Sequence, residues 1–303
     1  MRFLARLLIL AFLGFISLLW WSRLLWRNTP QNRGRLAMED AEEDVPQTFD
    51  SLLHIQQLRK KALRSFCSKR GKITRLPPTQ QEASQALSSV MVDHQLHFLY
   101  CKTPATGVEG WERLLETLLE KNVSLQVPIP HQQQFGSQKA LSEYNRTSME
   151  AMMQSYTKVM FVREPFQRLI SAYMHGMADG LNFKEFVQYI LYSGSRNHSM
   201  EWTPSVSLCR PCLVRYDYVI MFGFLDNEVR HLMLRAGLPE NIRIPEFIDS
   251  KIRWTYHWLE EQMLSQLSLG ERKGLCHFFR FDYHAFRFPR SLLWNLTCVP
   301  GSG

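Results

Sequence analysis

Apolar positions fall into short runs separated by turn signals along most of this chain, and their spacing predicts its elements. The first run, Leu7–Trp21, is fifteen residues without a charge, flanked by Arg2 and Arg6 before and by Arg23 and Arg27 after. A membrane-spanning helix needs about 20 residues, with about 17 as a lower bound. The run reaches that length if Arg6 and Arg23 extend their charged heads to the interfaces. Trp20, Trp21 and Trp26 lie where an interfacial aromatic belt belongs. The pattern predicts a short cytoplasmic tail over 1–5 and a signal-anchor transmembrane helix over 6–26. A cleaved signal peptide is the alternative, but no small-x-small site follows the run.

Residues 27–90 read as stem and linker. Asn28 to Phe49 is polar, acidic from Glu39 to Asp44, and interrupted by Pro30 and Pro46. Within this stretch Leu52, Leu53, Leu58, Leu63 and Phe66 give Ser51–Cys67 a helical pattern, and Lys69–Ser89 is linker-like around Pro77-Pro78. From 91 to 303 strand-like and helix-like segments alternate. His97–Cys101 is followed by a turn at Pro104–Gly110 and a helical pattern over Trp111–Glu120. Lys158–Val162 runs into Glu164-Pro165, with Pro in the first helical position, and a helix to Met177. Tyr218–Met221 leads to a helix over Asp226–Ala236 that Gly237 closes. Strand, turn and helix three times over predict an α/β fold with a parallel sheet flanked by helices.

Composition narrows the setting. Lys and Arg number 36 against 28 Asp and Glu, a net charge of +8. That excess favours anionic partners (phosphorylated cofactors, acidic glycans, nucleic acid, anionic lipid) without choosing among them, and a generally basic solvated surface is the plain alternative. Four of the nine asparagines, Asn122, Asn145, Asn197 and Asn295, begin Asn-x-Ser/Thr triplets, against a chance expectation of about one. Their excess argues that everything after the anchor is lumenal. Six cysteines suit an oxidising compartment and allow three bridges in fifteen pairings. Cys209-Arg-Pro-Cys212 lacks the second Cys-x-x-Cys or His pair of a zinc site, so no metal is expected and a structural role is preferred.

Candidate chemistry lies at the strand-to-helix handovers, where helix N-termini receive anions. In Arg163-Glu164-Pro165-Phe166-Gln167-Arg168-Leu169-Ile170-Ser171, Arg163 ends the strand. Arg168 and Ser171 are three apart and so share a helical face. Guanidinium and hydroxyl at a helix entrance can clamp phosphate; a helix start carrying solvated arginines is the alternative. No Gly-x-x-x-x-Gly-Lys-Ser/Thr loop is present, which speaks against a kinase or nucleotide hydrolase.

The string Val162–Tyr173 resembles the 3′-phosphate-binding motif of the Golgi carbohydrate sulfotransferases, in the group of chondroitin, dermatan and GalNAc 4-O-sulfotransferases. Further pieces follow in order: Cys67, Leu99-Tyr100-Cys101, Trp202-Thr203-Pro204, Leu208–Cys212, Arg215–Tyr218, and Asp282-Tyr283 with Phe286–Phe288. The resemblance extends from about Leu52 to the C-terminus. It implies a single-pass type II Golgi membrane glycoprotein that uses PAPS (3′-phosphoadenylyl sulfate), with Arg163 and Ser171 on the 3′-phosphate. It further implies a glycan or proteoglycan acceptor and no nucleic acid.

The first loop, Pro104-Ala105-Thr106-Gly107-Val108-Glu109-Gly110, departs from the family's Pro-Lys-x-Gly-Cys-Thr-x-Trp-Lys cradle for the 5′-phosphosulfate. Pro104, Gly107 and Trp111 are kept. Ala105 replaces the Lys, Val108 the Cys, Glu109 the Thr and Glu112 the second Lys. Lys102 and Arg113 are the nearby cations that could substitute. A general base is expected near Trp202, where Glu201 stands in place of the family's His, with His198 close by; an ordinary exposed loop acid is the alternative for Glu201. Two functions stay open on sequence: an active PAPS-dependent glycan sulfotransferase, or an inactive homologue that binds a glycan or partner.

Overall fold

A computed structural model describes residues 48–70, 75–120, 139–193, 199–238, 247, 249–288 and 291–298. The expected anchor, most of the stem, Asn122, Asn197 and His198 lie outside the described residues. No helix of the described residues is long and apolar enough to cross a membrane.

The folded unit begins at Phe49. In chain order its helices are α1 (Phe49–Arg70), α2 (Gln80–Ala86), α3 (Val108–Glu120), α4 (Arg146–Ser155), α5 (Pro165–Met174), α6 (Phe183–Ser193), α7 (Ser205–Cys209), α8 (Pro211–Val214), α9 (Leu225–Arg235), α10 (Asp249–Ser265), α11 (Leu269–Phe278) and α12 (Arg280–Phe286). Its strands are β1 (Val90–Asp93), β2 (Phe98–Cys101), β3 (Lys139–Ala140), β4 (Thr157–Val162) and β5 (Tyr218–Met221). They form one sheet in the order β3-β1-β2-β4-β5.

The three expected strands, β2, β4 and β5, do pair in parallel, with Tyr100 opposite Val159 and Phe161 opposite Ile220. The all-parallel expectation is corrected, however: β1 runs antiparallel to β2 and to β3, so the sheet is mixed. The reason is local. Only His94–His97 separates β1 from β2, too few residues for a crossover, and the chain can only turn back. Asp93 closes that turn by accepting the Leu96 N–H at 2.7 Å, while His97 takes a left-handed φ of 53°.

The parallel strands read as continuous apolar runs because both faces are covered. Leu99, Cys101, Met160, Val162, Val219 and Met221 face a core shared with α1, α2, α4 and α12. Phe98, Tyr100, Val159, Phe161 and Ile220 alternate onto the other face, against α3 and α9. A third core packs α5, α6 and α11 together around Phe166, Phe186, Leu275 and Phe279.

Helix α1, which falls in the expected stem and linker, is packed as part of this unit. Its Arg59 forks onto buried Glu228 of α9 at 2.6 and 2.8 Å, and Gln56 hydrogen-bonds both the N–H and the C=O of Val219 on β5. All six cysteines are paired: Cys67–Cys212 ties α1 to α8, Cys101–Cys209 ties β2 to α7, and Cys276–Cys298 closes the C-terminal segment. Cys209 and Cys212 therefore serve two different bridges, and no group of side chains among the described residues could hold a metal ion.

Candidate active site

Because β2, β4 and β5 are parallel, their three turns open at one edge of the sheet, with that of β4 in the middle. Arg163 directly follows β4 and is 3% exposed. Its Nη1 donates to the Ala105 carbonyl of the first turn at 2.9 Å, and its guanidinium lies 4.0 Å over the Phe222 ring of the third. One arginine thus touches both neighbouring junctions, and the second motif is next to the first.

Glu164 caps α5. Its Oε2 accepts the Gln167 N–H at 2.7 Å, while Oε1 accepts the hydroxyls of Tyr283 and Ser291, each at 2.6 Å. Burial pushes its carboxyl up, against those hydrogen bonds. The first amides of this helix are therefore occupied by its own cap, and an anion at this junction is left to side chains. Ser171 is buried further along α5, and its carbonyl accepts from Nδ1–H of His175 at 2.6 Å. Phe166, Leu169 and Ile170, also in the motif, face the third core at 0% exposure.

Arg168 is held by the segment that follows Glu201. Buried in α5, it donates Nε to the Glu201 carbonyl at 3.2 Å, Nη1 to Ser205 Oγ at 2.6 Å and Nη2 to the Thr203 carbonyl. From the other side Asp282 accepts the N–H groups of Ser205 and Val206 at 2.7 and 2.8 Å. Arg168 and Asp282 together fasten the Trp202-Thr203-Pro204 segment, and with it Glu201, beside α5 and α12. Burial raises the Glu201 carboxyl; Arg168 opposes the rise and Glu109 adds to it. Glu201, Glu109, Arg168 and His175 thus share one electrostatic neighbourhood, although they come from three separate stretches of chain.

The first loop is rigidly built. Gly107 has φ 89°, and a Cβ there would meet Leu225 Cδ1 at 2.1 Å; one on Gly110 would meet the Phe247 ring at 2.6 Å. Thr106 Oγ1 donates to the Thr103 carbonyl at 2.6 Å, and Glu109 accepts the Ala105 N–H at 3.2 Å. Ala105 itself is left-handed at φ 59°. Pro104–Gly107 is a turn that runs directly into the start of α3, the kind of helix entrance at which an anion can be received. Lys102, named as a possible substitute for the missing cation, has its Nζ paired with Glu112 at 2.9 Å, and Glu112 also accepts from Tyr100 at 3.1 Å. Arg113 is exposed on α3. The guanidinium that reaches the Ala105 position is Arg163 itself.

Sequence reasoning missed Glu260 of α10. It is 2% exposed and close enough to interact with Gln167, Glu164 and Arg163; burial first, then the Glu164 carboxylate, push it up to about 8. No local pattern marks it. The roles of Asp282 and Tyr283 were reachable, since both stand in the string that carries the resemblance.

A sulfotransferase family model matches residues 88–289, which contain all three junctions and the Arg168–Asp282 network. The chain belongs to the sulfotransferase family, and PAPS is that family's sulfate donor. It is similar to carbohydrate sulfotransferase 8 of Mus musculus, 29% identical over 88% of this chain and 73% of the relative. Carbohydrate sulfotransferase 9 of Homo sapiens is 27% identical over 78% of this chain and 61% of its own length. Carbohydrate sulfotransferase 14 of Danio rerio is 26% identical, over 63% of this chain and 60% of its own length. No solved structure matches the chain.

Proposed function

We propose that this protein transfers the sulfuryl group of PAPS to a glycan hydroxyl, as a type II Golgi membrane enzyme anchored by residues 6–26 with its folded unit in the lumen. The observation that carries the reading is the position of Arg163, central in the sheet and bonded to the first turn. A guanidinium there can hold a nucleotide phosphate while the N–H groups of Thr106, Gly107 and Val108 receive the 5′-phosphosulfate. In sulfuryl transfer the acceptor oxygen bonds to sulfur as the bond from sulfur to the 5′-phosphate oxygen breaks, releasing 3′,5′-ADP. Glu201 takes the acceptor hydroxyl's proton, and its raised carboxyl makes it a stronger base than an ordinary glutamate. The turn amides stabilise charge on the departing 5′-phosphate, the part for which preorganised donors matter most, while Arg163 is assigned to the 3′-phosphate.

Supporting this is the fixed placement of Glu201 by Arg168, which an exposed loop acid would not need. Ala105 in place of the family Lys removes one cation from the leaving-group side. Low turnover is therefore expected, not inactivity. The test is calorimetric titration of the full-length protein with 3′,5′-ADP, followed by transfer of labelled sulfate to desulfated chondroitin, desulfated dermatan and GalNAc-terminated glycans. Arg163→Ala is expected to weaken 3′,5′-ADP binding roughly 10- to 100-fold, the loss of a charged hydrogen bond. Wild-type protein that binds no 3′,5′-ADP would overturn the proposal.

A further inference from the structure

The opposite edge of the sheet, where β4 and β5 begin, carries a groove of about 950 Å³ between α1, α4 and α8. Six cations line it, Lys60, Arg64, Arg75, Arg146, Lys158 and Arg215, against two acids, Glu150 and Asp217. The acids are already engaged: Asp217 holds Lys158 at 2.9 Å and Lys60 at 3.9 Å, and Glu150 holds Arg146 at 3.0 Å. Arg64, Arg75 and Arg215 are exposed and have no acidic partner among the described residues. A concavity lined by one sign of charge focuses the field and draws anions into it.

Two further features show that the arrangement is fixed in place. The Cys67–Cys212 bridge lies in the groove and joins α1, which carries Arg64, to α8, which Arg215 directly follows. Arg215 is held with φ 59°, a left-handed conformation unfavourable for a side chain with a Cβ, while its N–H bonds the Pro211 carbonyl. The groove's remaining walls are apolar, with Leu63, Leu76, Met153 and Leu213 among them. Planar, bidentate guanidinium groups around an apolar floor match sulfate or carboxylate groups projecting from the flat face of a sugar. A concave site of this kind suits a chain that lies in it better than it suits a lipid surface.

We propose that this groove is a second, non-catalytic site for a sulfated or carboxylated glycan chain, at the end of the sheet remote from the donor junctions. β4 alone separates the two ends, so roughly 15–20 Å lies between them. Only a polymer could engage both, and it would be held for repeated encounters with the active edge. The choice of a glycan rests on the proposed function.

The probe is a chondroitin sulfate octasaccharide, titrated into the full-length protein at several salt concentrations alongside 3′,5′-ADP. Arg64→Glu/Arg75→Glu/Arg215→Glu is expected to weaken octasaccharide binding at least tenfold and to flatten its salt dependence, with 3′,5′-ADP affinity unchanged. Arg64→Gln/Arg75→Gln/Arg215→Gln, which reverses no charge, should give a smaller loss in the same direction, and unchanged 3′,5′-ADP affinity reports that each variant is folded. Octasaccharide affinity within twofold of wild type in both variants would overturn the proposal. So would a loss confined to phosphatidylserine vesicles, which assigns the groove to lipid. Failure of wild-type 3′,5′-ADP binding, by contrast, bears on the proposed function and not on the groove.

Discussion

Glu260 places a carboxyl beside the arginine that is to grip a phosphate, and its protonation decides whether that arginine is fully available. With a folded-state value of about 8 against an ordinary 4.5, the folded protein holds this proton more tightly than the unfolded chain. The stability it contributes is complete below about 4.5 and is lost as pH rises towards 8. Glu260→Gln is therefore expected to raise the melting temperature little at pH 5 and increasingly towards pH 9, by about 2–4 °C for each kcal/mol recovered. Thermal melts of both proteins across that range check this. The same charge should oppose an anionic donor, so 3′,5′-ADP affinity of the wild type should fall as pH passes about 8, and that of Glu260→Gln should not. A wild type and variant with parallel pH profiles would show that the Glu260 carboxyl does not titrate there. Ala105 and Glu112 belong at this scale too: Glu112 ties down Lys102, so the site's cation is Arg163, already in contact with the turn.

Helix α5 links three kinds of work through one segment. Its cap Glu164 is held by Tyr283 and Ser291, its buried Arg168 fastens the segment that carries Glu201, and Arg163 precedes it at the sheet edge. Arg168 and Asp282 are both buried and influence each other electrostatically through the segment they share, so removal of Arg168 takes away three hydrogen bonds and a nearby opposite charge. Arg168→Met should destabilise the protein by about 3–5 kcal/mol, by the reasoning that applies to broken buried pairs. It should also free the 201–206 segment, which hydrogen exchange at the Ser205 and Val206 amides would report. If exchange there is unchanged while the whole protein melts earlier, the positioning role assigned to Arg168 is wrong and only the packing role remains. Transfer activity should fall more than 3′,5′-ADP binding, because the proposed base Glu201 is displaced while Arg163 stays.

At the scale of the whole molecule, disulfides hold together pieces that are far apart in sequence. Cys101–Cys209 joins the end of β2, immediately before the donor turn, to the helix behind the Glu201 segment, and Thr103 Oγ1 lies 3.1 Å from Cys209 Sγ. Replacing both cysteines with serine should cost about 2–4 kcal/mol, and the effect should reach function, since the two sides of the catalytic edge lose their tie. Chemical denaturation and 3′,5′-ADP titration of the double variant check both parts; stability lost without any change in affinity would mean that the turn keeps its shape unaided.

How much of this was legible in the chain depends on how local each cause is. The three strand–turn–helix units, the helix start at Pro165 and the β4–α5 motif depend on neighbours within a few residues, and sequence spacing revealed them. Ala105, Glu109 and Glu112 could likewise be read as departures from a known pattern. Strand β1 escaped because its four residues lie beside a proline-rich linker, and only pairing with β2 makes them a strand. Helical spacing put Arg168 and Ser171 on one face, but the direction of the Arg168 guanidinium depends on carbonyls 33 to 35 residues away. Cysteine pairing, the Glu112 hold on Lys102, the acid at Glu260 and the basic groove at the far edge are likewise set by contacts between distant segments. The amino-acid order determined which elements form and where a strand hands over to a helix beside Arg163. Tertiary packing alone decided which charges meet there, because electrostatic and hydrogen-bond partners are chosen by distance in space and not along the chain.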